Sequence, residues 1–422
     1  MKTPHHALLL TTLIAALTAS AQSPRQFNVR DSGAKGDGKT LDTAAIQQAL
    51  DACGKAGGGI VRLPAGTYLS QPIFLRDKTT LQLDAGATLQ ATDEPAHFAD
   101  PAKPNSRVAF VNGKGLTDVG ITGSGTIDGA GERWWAPVRA AKLAKQTYNE
   151  VPRRPRLIAL SDCRNVRVEG VTIQNSPSFH LVPSECENVL ITSVTFRAPD
   201  DAPNTDAMDP SACKNVRIVG CTIDVGDDNI AIKSGHKVAG REAAVENVWV
   251  ERCKFLKGHG MSIGSETLGG VRNLVVTNCT FDGTTSGIRI KSTRGKGGVV
   301  ENLVYTDITM TNVDYPIYLT SYYPKVPSED AAQPVAADSP VYRHIVIRNL
   351  TAYGTRAAGM IVGLPELPIE NVTLENVRVT APIGLTIRNA KAIKLQNTVV
   401  TPTKGGKPFI LETQAEVEGL PK

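Results

Sequence analysis

Four short segments carry the side chains best suited to chemistry: Asn204-Thr-Asp206, Gly226-Asp227-Asp228, Gly258-His259-Gly260 and Arg289-Ile-Lys291. Three carboxylates, an imidazole and two cations are a set for general acid–base work. Like-charged neighbours raise one carboxyl pKa so that it keeps its proton and can donate, while another stays ionised and accepts. Glycoside hydrolysis needs that division, an acid for the leaving oxygen and a base for water. Arg289 offers a planar fork and Lys291 a point charge, both suited to a substrate carboxylate. Singly, each segment has an ordinary explanation: a solvated Asp-Asp turn, a structural histidine, an exposed strand face. Their meaning depends on whether the fold brings them together.

A repeat predicts that it does. The phrase Asn165-Val-Arg-Val-Glu-Gly-Val-Thr-Ile173 recurs with its first residue at Asn188, Asn215, Asn247, Asn273, Asn302, His344 and Asn371. Offsets +1, +3, +6 and +8 from that residue are apolar in nearly every copy, Ala352 being the poorest fit. Period two marks a strand with one buried face, and the phase shift between +3 and +6 marks a short bend. Successive copies start 23 to 32 residues apart, with one longer step of 42 from 302 to 344. A unit this small buries its apolar face only by stacking on its neighbours. Propeller blades and sandwiches also use short strands at such intervals. One dominant phrase per repeat, with Asn at a fixed place where a side-chain ladder can form, favours an all-β fold, a right-handed parallel β-helix. Asp227 and His259 both stand twelve residues after their Asn, so four consecutive coils bring the acids, the imidazole and the cations to one side of the stack.

The remaining signals fit such a solenoid. Cys163, Cys186 and Cys213 precede the Asn by two, and Cys221, Cys253 and Cys279 follow it by six. Stacked small apolar residues are the expected reading, although neighbouring rungs are close enough for a Cys163–Cys186 or Cys186–Cys213 bridge. No closely spaced ligand pair suggests zinc. Gly33 to Thr40 satisfies the phosphate-loop pattern, but the chain lacks the alternating helices of a doubly wound sheet. Nucleotide binding is therefore not expected. Asp42 to Cys53 reads instead as an amphipathic helix, with Ala45, Ile46, Ala49 and Leu50 on one face. It can cap the exposed N-terminal end of the stack.

Residues 1–21 read as a secretory leader: Lys2, an apolar run from Ala7 to Ala16, then Ala19-Ser20-Ala21. The expectation is an exported, soluble chain with a single domain over 22–422. The mild positive balance suits a polyanionic partner. Nothing in the sequence points to nucleic acid or to a membrane span.

In order, the four segments resemble the signatures of the polygalacturonases (glycoside hydrolase family 28), and the likeness runs from about residue 24 to 400. It implies single-displacement, inverting hydrolysis of α-1,4-galacturonan by a monomer with no cofactor or metal. By motif position it implies that Asp227 is the general acid and that Asp206 and Asp228 are the bases positioning water. His259 would support the acid, and Arg289 and Lys291 would hold the uronate carboxylate. The family's tyrosine falls at Tyr323 or its neighbour Tyr322, and Asn204 and His180 (in Asn175-Ser-Pro-Ser-Phe-His180) join the substrate-binding set. One departure is Ala207, where the family carries Gly after Asn-Thr-Asp. Related pectin hydrolases (rhamnogalacturonan or xylogalacturonan), a calcium-dependent pectate lyase and a uronan-binding adhesin are the competing expectations. Endo and exo attack both remain open, since the insertion from Gly129 to Arg156 could wall off the groove, offer Trp134 and Trp135 as a sugar platform, or pack on the solenoid.

Overall fold

The structure, a computed structural model, describes residues 24–146, 151, 153–235 and 243–421. The expected leader, residues 1–21, lies outside them. A coil contributes three strands rather than one phrase, the first two of which run together in Val299–Val313, Val341–Gly354 and Ile369–Ala381. Counted from the Asn-led strand of one coil, Arg164–Glu169 is followed by Thr172–Gln174 and then Leu181–Ser184. Each pairs in parallel with its counterpart in a neighbouring coil: Glu187–Thr192, Thr195–Arg197 and Ile158–Ser161. Carried along the chain, this pairing makes a right-handed parallel β-helix.

The recurring Asn explains how the coil turns. Asn165, Asn188, Asn215, Asn247, Asn273 and Asn302 all hold φ between 55° and 59°, a left-handed conformation that Asn tolerates better than other side-chain-bearing residues. Their amides form a ladder, each Nδ2 donating to the previous coil's Oδ1, as Asn188 does to Asn165 and Asn215 to Asn188 at 3.0 Å. His344 keeps the positive φ where the Asn is lost. The expected bend between +3 and +6 is a second left-handed position at +5, occupied by Gly170, Ser193, Gly220, Arg252, Asn278, Asp307, Asn349 and Asn376. Here a second ladder runs Asp307–Asn349–Asn376–Asn397.

Between the bends, offsets +1, +3, +6 and +8 point inward and are buried in all eight copies, Ala352 included. Arg167 and Arg217, one position out of phase, are exposed. The apolar column includes Phe255 stacked on Phe281 at 4.3 Å. All seven cysteines are buried and free, with Cys163, Cys186 and Cys213 each donating to the carbonyl two residues back.

Helix α1 (Thr43–Lys55) buries Ile46, Ala49, Leu50 and Cys53 against the first coils. Asp42 stands at its start, but its carboxylate turns away to accept the backbone N–H groups of Lys35 and Gly36 at 2.7 and 2.9 Å. Asp37 likewise takes those of Lys39 and Thr40. Four amides of the phosphate-loop-like segment are thus taken by the chain's own acids, and those of Gly33 and Ala34 by the carbonyls of Arg30 and Val29. Among the described residues, no helix is long and apolar enough to cross a membrane.

If the Asn column carries the turn, Asn215→Ala loses both ladder bonds and strains a left-handed residue. The expected cost is about 1–3 kcal/mol, read as a lowered denaturation midpoint. Asn215→Gly, free of the strain, should lose less.

Candidate functional site

The site grows from the third strand of each coil. Ile230–Ile232, Met261–Ile263, Ser286–Lys291 and Tyr315–Thr320 pair in one register, so that Ala231, Ser262, Arg289 and Tyr318 stand in a row. The segment before them, Asn204 to Ser211, joins the same sheet through bridges at Met208 and Ser211. Its backbone is locked on both sides: His180 N donates to the Asp206 carbonyl at 2.8 Å, and Ala207 N to the Asp228 carbonyl at 3.0 Å. Asn204 takes the left-handed turn at φ 55°. Ala207 does not need positive φ and buries its methyl in the core, so the departure from glycine is accommodated.

These constraints bring the three aspartates together, each with an oxygen within 4.8 Å of the others. Their surroundings differ sharply. Asp228 is buried, with Oδ1 receiving Arg289 Nη1 at 2.8 Å and Ser262 Oγ at 2.9 Å and Oδ2 receiving Lys291 Nζ at 2.7 Å. Burial by itself would raise its pKa, but Lys291 and Arg289 outweigh that and hold the carboxyl well below the usual range. Asp206 is also buried. Among the described residues its Oδ1 has no partner, and its Oδ2 reaches only Lys233 Nζ at 3.4 Å. Burial, then the charges of Asp209 and Asp227, push its pKa well up against the pull of Lys233. Asp227 is the one of the three that meets solvent, its side chain 25% exposed. It accepts the Asp228 N–H at 2.9 Å, and His259 Nε2 stands 3.8 Å from it while Nδ1 meets Thr285 Oγ1 at 2.8 Å.

The two tyrosines separate. Tyr323 faces the cations, its ring 5.0 Å from Lys291 Nζ and 5.9 Å from Arg289 Cζ. Tyr322 turns the other way, its hydroxyl donating to Asp330 at 2.6 Å and its ring flanked by Arg294 and Arg388. His180 corrects the expectation of substrate contact. It is fully buried, its ring nitrogens at 3.1 and 3.2 Å from the carbonyls of Asp206 and Arg197, and burial drives its pKa down to about 4. It is a neutral brace behind Asp206. Asn204 is also engaged, accepting from Arg154 Nη2 at 2.6 Å. Trp134 and Trp135 lie in helix α2 (Glu132–Leu143) and are buried, Trp135 donating to the Ser176 carbonyl. They pack on the solenoid and offer no sugar platform.

Sequence reasoning missed Lys233, Asp209 and Ser262. Lys233 follows Ile232 as Lys291 follows Ile290, and those isoleucines share one register through Ile263. Extending the repeat to the third strand would have found it. Lys233 is shared between Asp206 and Asp209, the latter at 2.7 Å, and is the only cation ion-paired to Asp206 among the described residues.

Comparison with known proteins agrees with this fold. The family model described as Glycosyl hydrolases family 28 matches residues 53–401. An endo-polygalacturonase of Pectobacterium carotovorum subsp. carotovorum is 35% identical over 383 residues, covering 85% of this chain and 89% of the relative. Among solved structures, the polygalacturonase of Erwinia carotovora superposes with a TM-score of 0.69 at 30% identity, covering 94% of this chain and 98% of that one. The exopolygalacturonase of Thermotoga maritima gives 0.75 at 26% identity, covering 89% and 94%.

Asp206 has a consequence for stability. A carboxyl whose pKa is raised on folding destabilises the fold increasingly as pH climbs from its unfolded value, near 3.8, through its folded one. Asp206→Asn should therefore raise the thermal midpoint more at pH 7 than at pH 4, compared with the parent by calorimetry at both.

Proposed function

This chain belongs to glycosyl hydrolases family 28, and we propose that it hydrolyses the α-1,4-galacturonosyl linkages of polygalacturonate by single displacement with inversion. The observation that carries the reading is the unequal treatment of three adjacent carboxylates: one pinned as an anion, one pushed toward its acid form, one partly open to solvent.

Asp227, open to solvent and beside His259, donates its proton to the glycosidic oxygen as the bond to the anomeric carbon breaks. Water held between Asp206 and Asp228 attacks that carbon and gives its proton to Asp206. A raised pKa makes Asp206 the stronger base once ionised, while Asp228 stays charged and orients the water. The spacing of up to 4.8 Å is tighter than the roughly 6.5–9.5 Å common between the carboxyl groups of inverting pairs. One water bridging two oxygens by ordinary hydrogen bonds spans about 4.5–5 Å, and that suits a water shared by Asp206 and Asp228. Covalent attack by Asp228 is disfavoured, because three donors already occupy its two oxygens. Arg289, Lys291 and Tyr323 form the wall that receives the uronate carboxylate. Lys233 and the Arg289–Lys291 pair balance most of the acidic charge, so the reading requires neither metal nor cofactor. It also implies a monomer exported to meet a polymeric substrate.

Product analysis on de-esterified polygalacturonate with chelator present tests this directly. Expected are saturated galacturonate products whose first-formed anomer is β by NMR, lost by about 100-fold or more in Asp227→Asn. An unsaturated product would indicate a lyase, an α-anomer would sink single displacement, and cleavage only of branched pectins would redirect the substrate. Product sizes report endo or exo attack.

The pH profile supplies a second test. Asp206 must be ionised to act as base, so kcat/KM should rise with pH through a limb lying above the ordinary carboxylate range. Lys233 draws that pKa down, so Lys233→Met should shift the limb to higher pH. An unshifted limb would remove Asp206 from the base role.

A further inference from the structure

The three members of the uronate wall are not held in the same way. Arg289 and Lys291 stand in a strand paired on both sides, Ser286–Lys291 between Met261–Ile263 and Tyr315–Thr320. Tyr323 lies past the last paired residue, Thr320, in the excursion that rejoins the stack at Val341. Sheet register therefore does not fix its ring, and surface segments outside the ladder open more easily than the strands they join. Its place has to be set by side chains.

Arg294, three residues after Lys291 and outside the acid–base set, supplies the central tie. Its guanidinium takes Glu366 in a fork, Nε donating to Oε1 at 2.7 Å and Nη2 to Oε2 at 2.9 Å. Nη2 also donates at 2.6 Å to Asp330 Oδ2, the oxygen that accepts the Tyr322 hydroxyl. The Tyr322 ring is buried against Val362 and Leu364, with the Cζ atoms of Arg294 and Arg388 each 5.8 Å from its centre. Arg388 adds bonds to the carbonyls of Pro327 and Ser328 at 2.9 and 3.1 Å. The bonds from Arg294 hold the Glu366 carboxyl below the usual range, so the fork stays charged at neutral pH. Tyr322 and Tyr323 are neighbours facing opposite ways, and anchoring the first ring aims the second at Lys291 and Arg289.

We propose that Arg294 is a positioning residue for substrate binding, holding Tyr322 and Asp330 so that Tyr323 completes the uronate wall. The role rests on the reading of that wall given above and deepens it by naming what keeps it assembled. Without the fork the excursion loses its pose and Tyr323 leaves the cations. The aspartates, fixed by the coil ladder, stay where they are. Lysine at this position would keep the charge but not the planar fork.

The test is a double-mutant cycle on de-esterified galacturonate. Arg294→Gln is expected to raise KM about fivefold with kcat nearly unchanged, and Arg294→Lys to recover part of the loss. Tyr323→Ala should raise KM by itself, and adding Arg294→Gln to it should raise KM no further. A residue that merely stabilised the fold would lower the melting point without that dependence on Tyr323. An unchanged KM in Arg294→Gln, a kcat that falls as far as KM rises, or additive effects in the double variant would each overturn the assignment. If Arg294→Gln melts below the assay temperature, Asp330→Asn, which keeps the side chain's size, takes its place in the cycle with the same outcomes. Calorimetric titration with de-esterified oligogalacturonate reads the cycle without turnover. A parent chain that binds the oligomer but does not cleave it would therefore sink the hydrolase reading while the affinities still decide on Arg294. A parent that does not bind it would overturn the uronate wall and this role together.

Discussion

The parallel hydrogen-bond ladder between coils sets the other dimensions of this molecule. Strands stack at about 4.8 Å, and in parallel each residue faces the residue holding the same place in the next turn. Any chemical group is therefore positioned by two coordinates, its coil and its offset. The ladder survives only if every coil turns in the same way, and the left-handed Asn column meets that demand. An unpaired Asn amide would leave donors to be satisfied elsewhere, whereas stacked amides satisfy one another. Strand register, turn conformation and core packing are thus one constraint seen at three places.

The site exploits that constraint electrostatically. Burying several carboxylates close together is costly, and the fold offsets the cost unevenly. Asp228 receives donors from the next two coils, whereas Asp206 shares one lysine with Asp209 and, among the described residues, keeps an oxygen unpaired. Such an orphan is a defect by the standard of a stable core and an asset at a reactive centre, where groups must be ready to exchange protons. His180 shows the complementary use of the same rungs. It has the chemistry of a proton carrier, but burial keeps it neutral and braced against the Asp206 carbonyl.

Much of this was legible in the sequence because the repeat is strict where the interior is tight. The inward offsets, the turn Asn and the grouping of Asp206, Asp227, Asp228, His259, Arg289 and Lys291 on neighbouring coils all follow from periodicity. The third strand was harder to read. Ile230-Ala-Ile and Met261-Ser-Ile are three residues long and buried on both faces, so no alternation betrays them, and Lys233 and Ser262 went with them. His180 was misjudged because a histidine near a groove looks the same in sequence whether its ring points out or in. Tyr322 and Tyr323 are adjacent, and only the Asp330 and Arg294 contacts of the first decide which one faces the cations.

The longest step between copies, from Asn302 to His344, leaves the strands on either side in one register from Val299 opposite Val341 to Met310 opposite Ala352, with a shift only at their ends, where Val313 meets Gly354. Its surplus residues leave the stack between Thr320 and Val341, and they carry Tyr323 and the Asp330 anchor. Length added there reaches the rim of the groove without altering the distance between any two catalytic groups. The architecture thus separates an inherited frame from an editable margin. A lineage built on it can try new walls, lids and substrate lengths while its reaction centre stays in place.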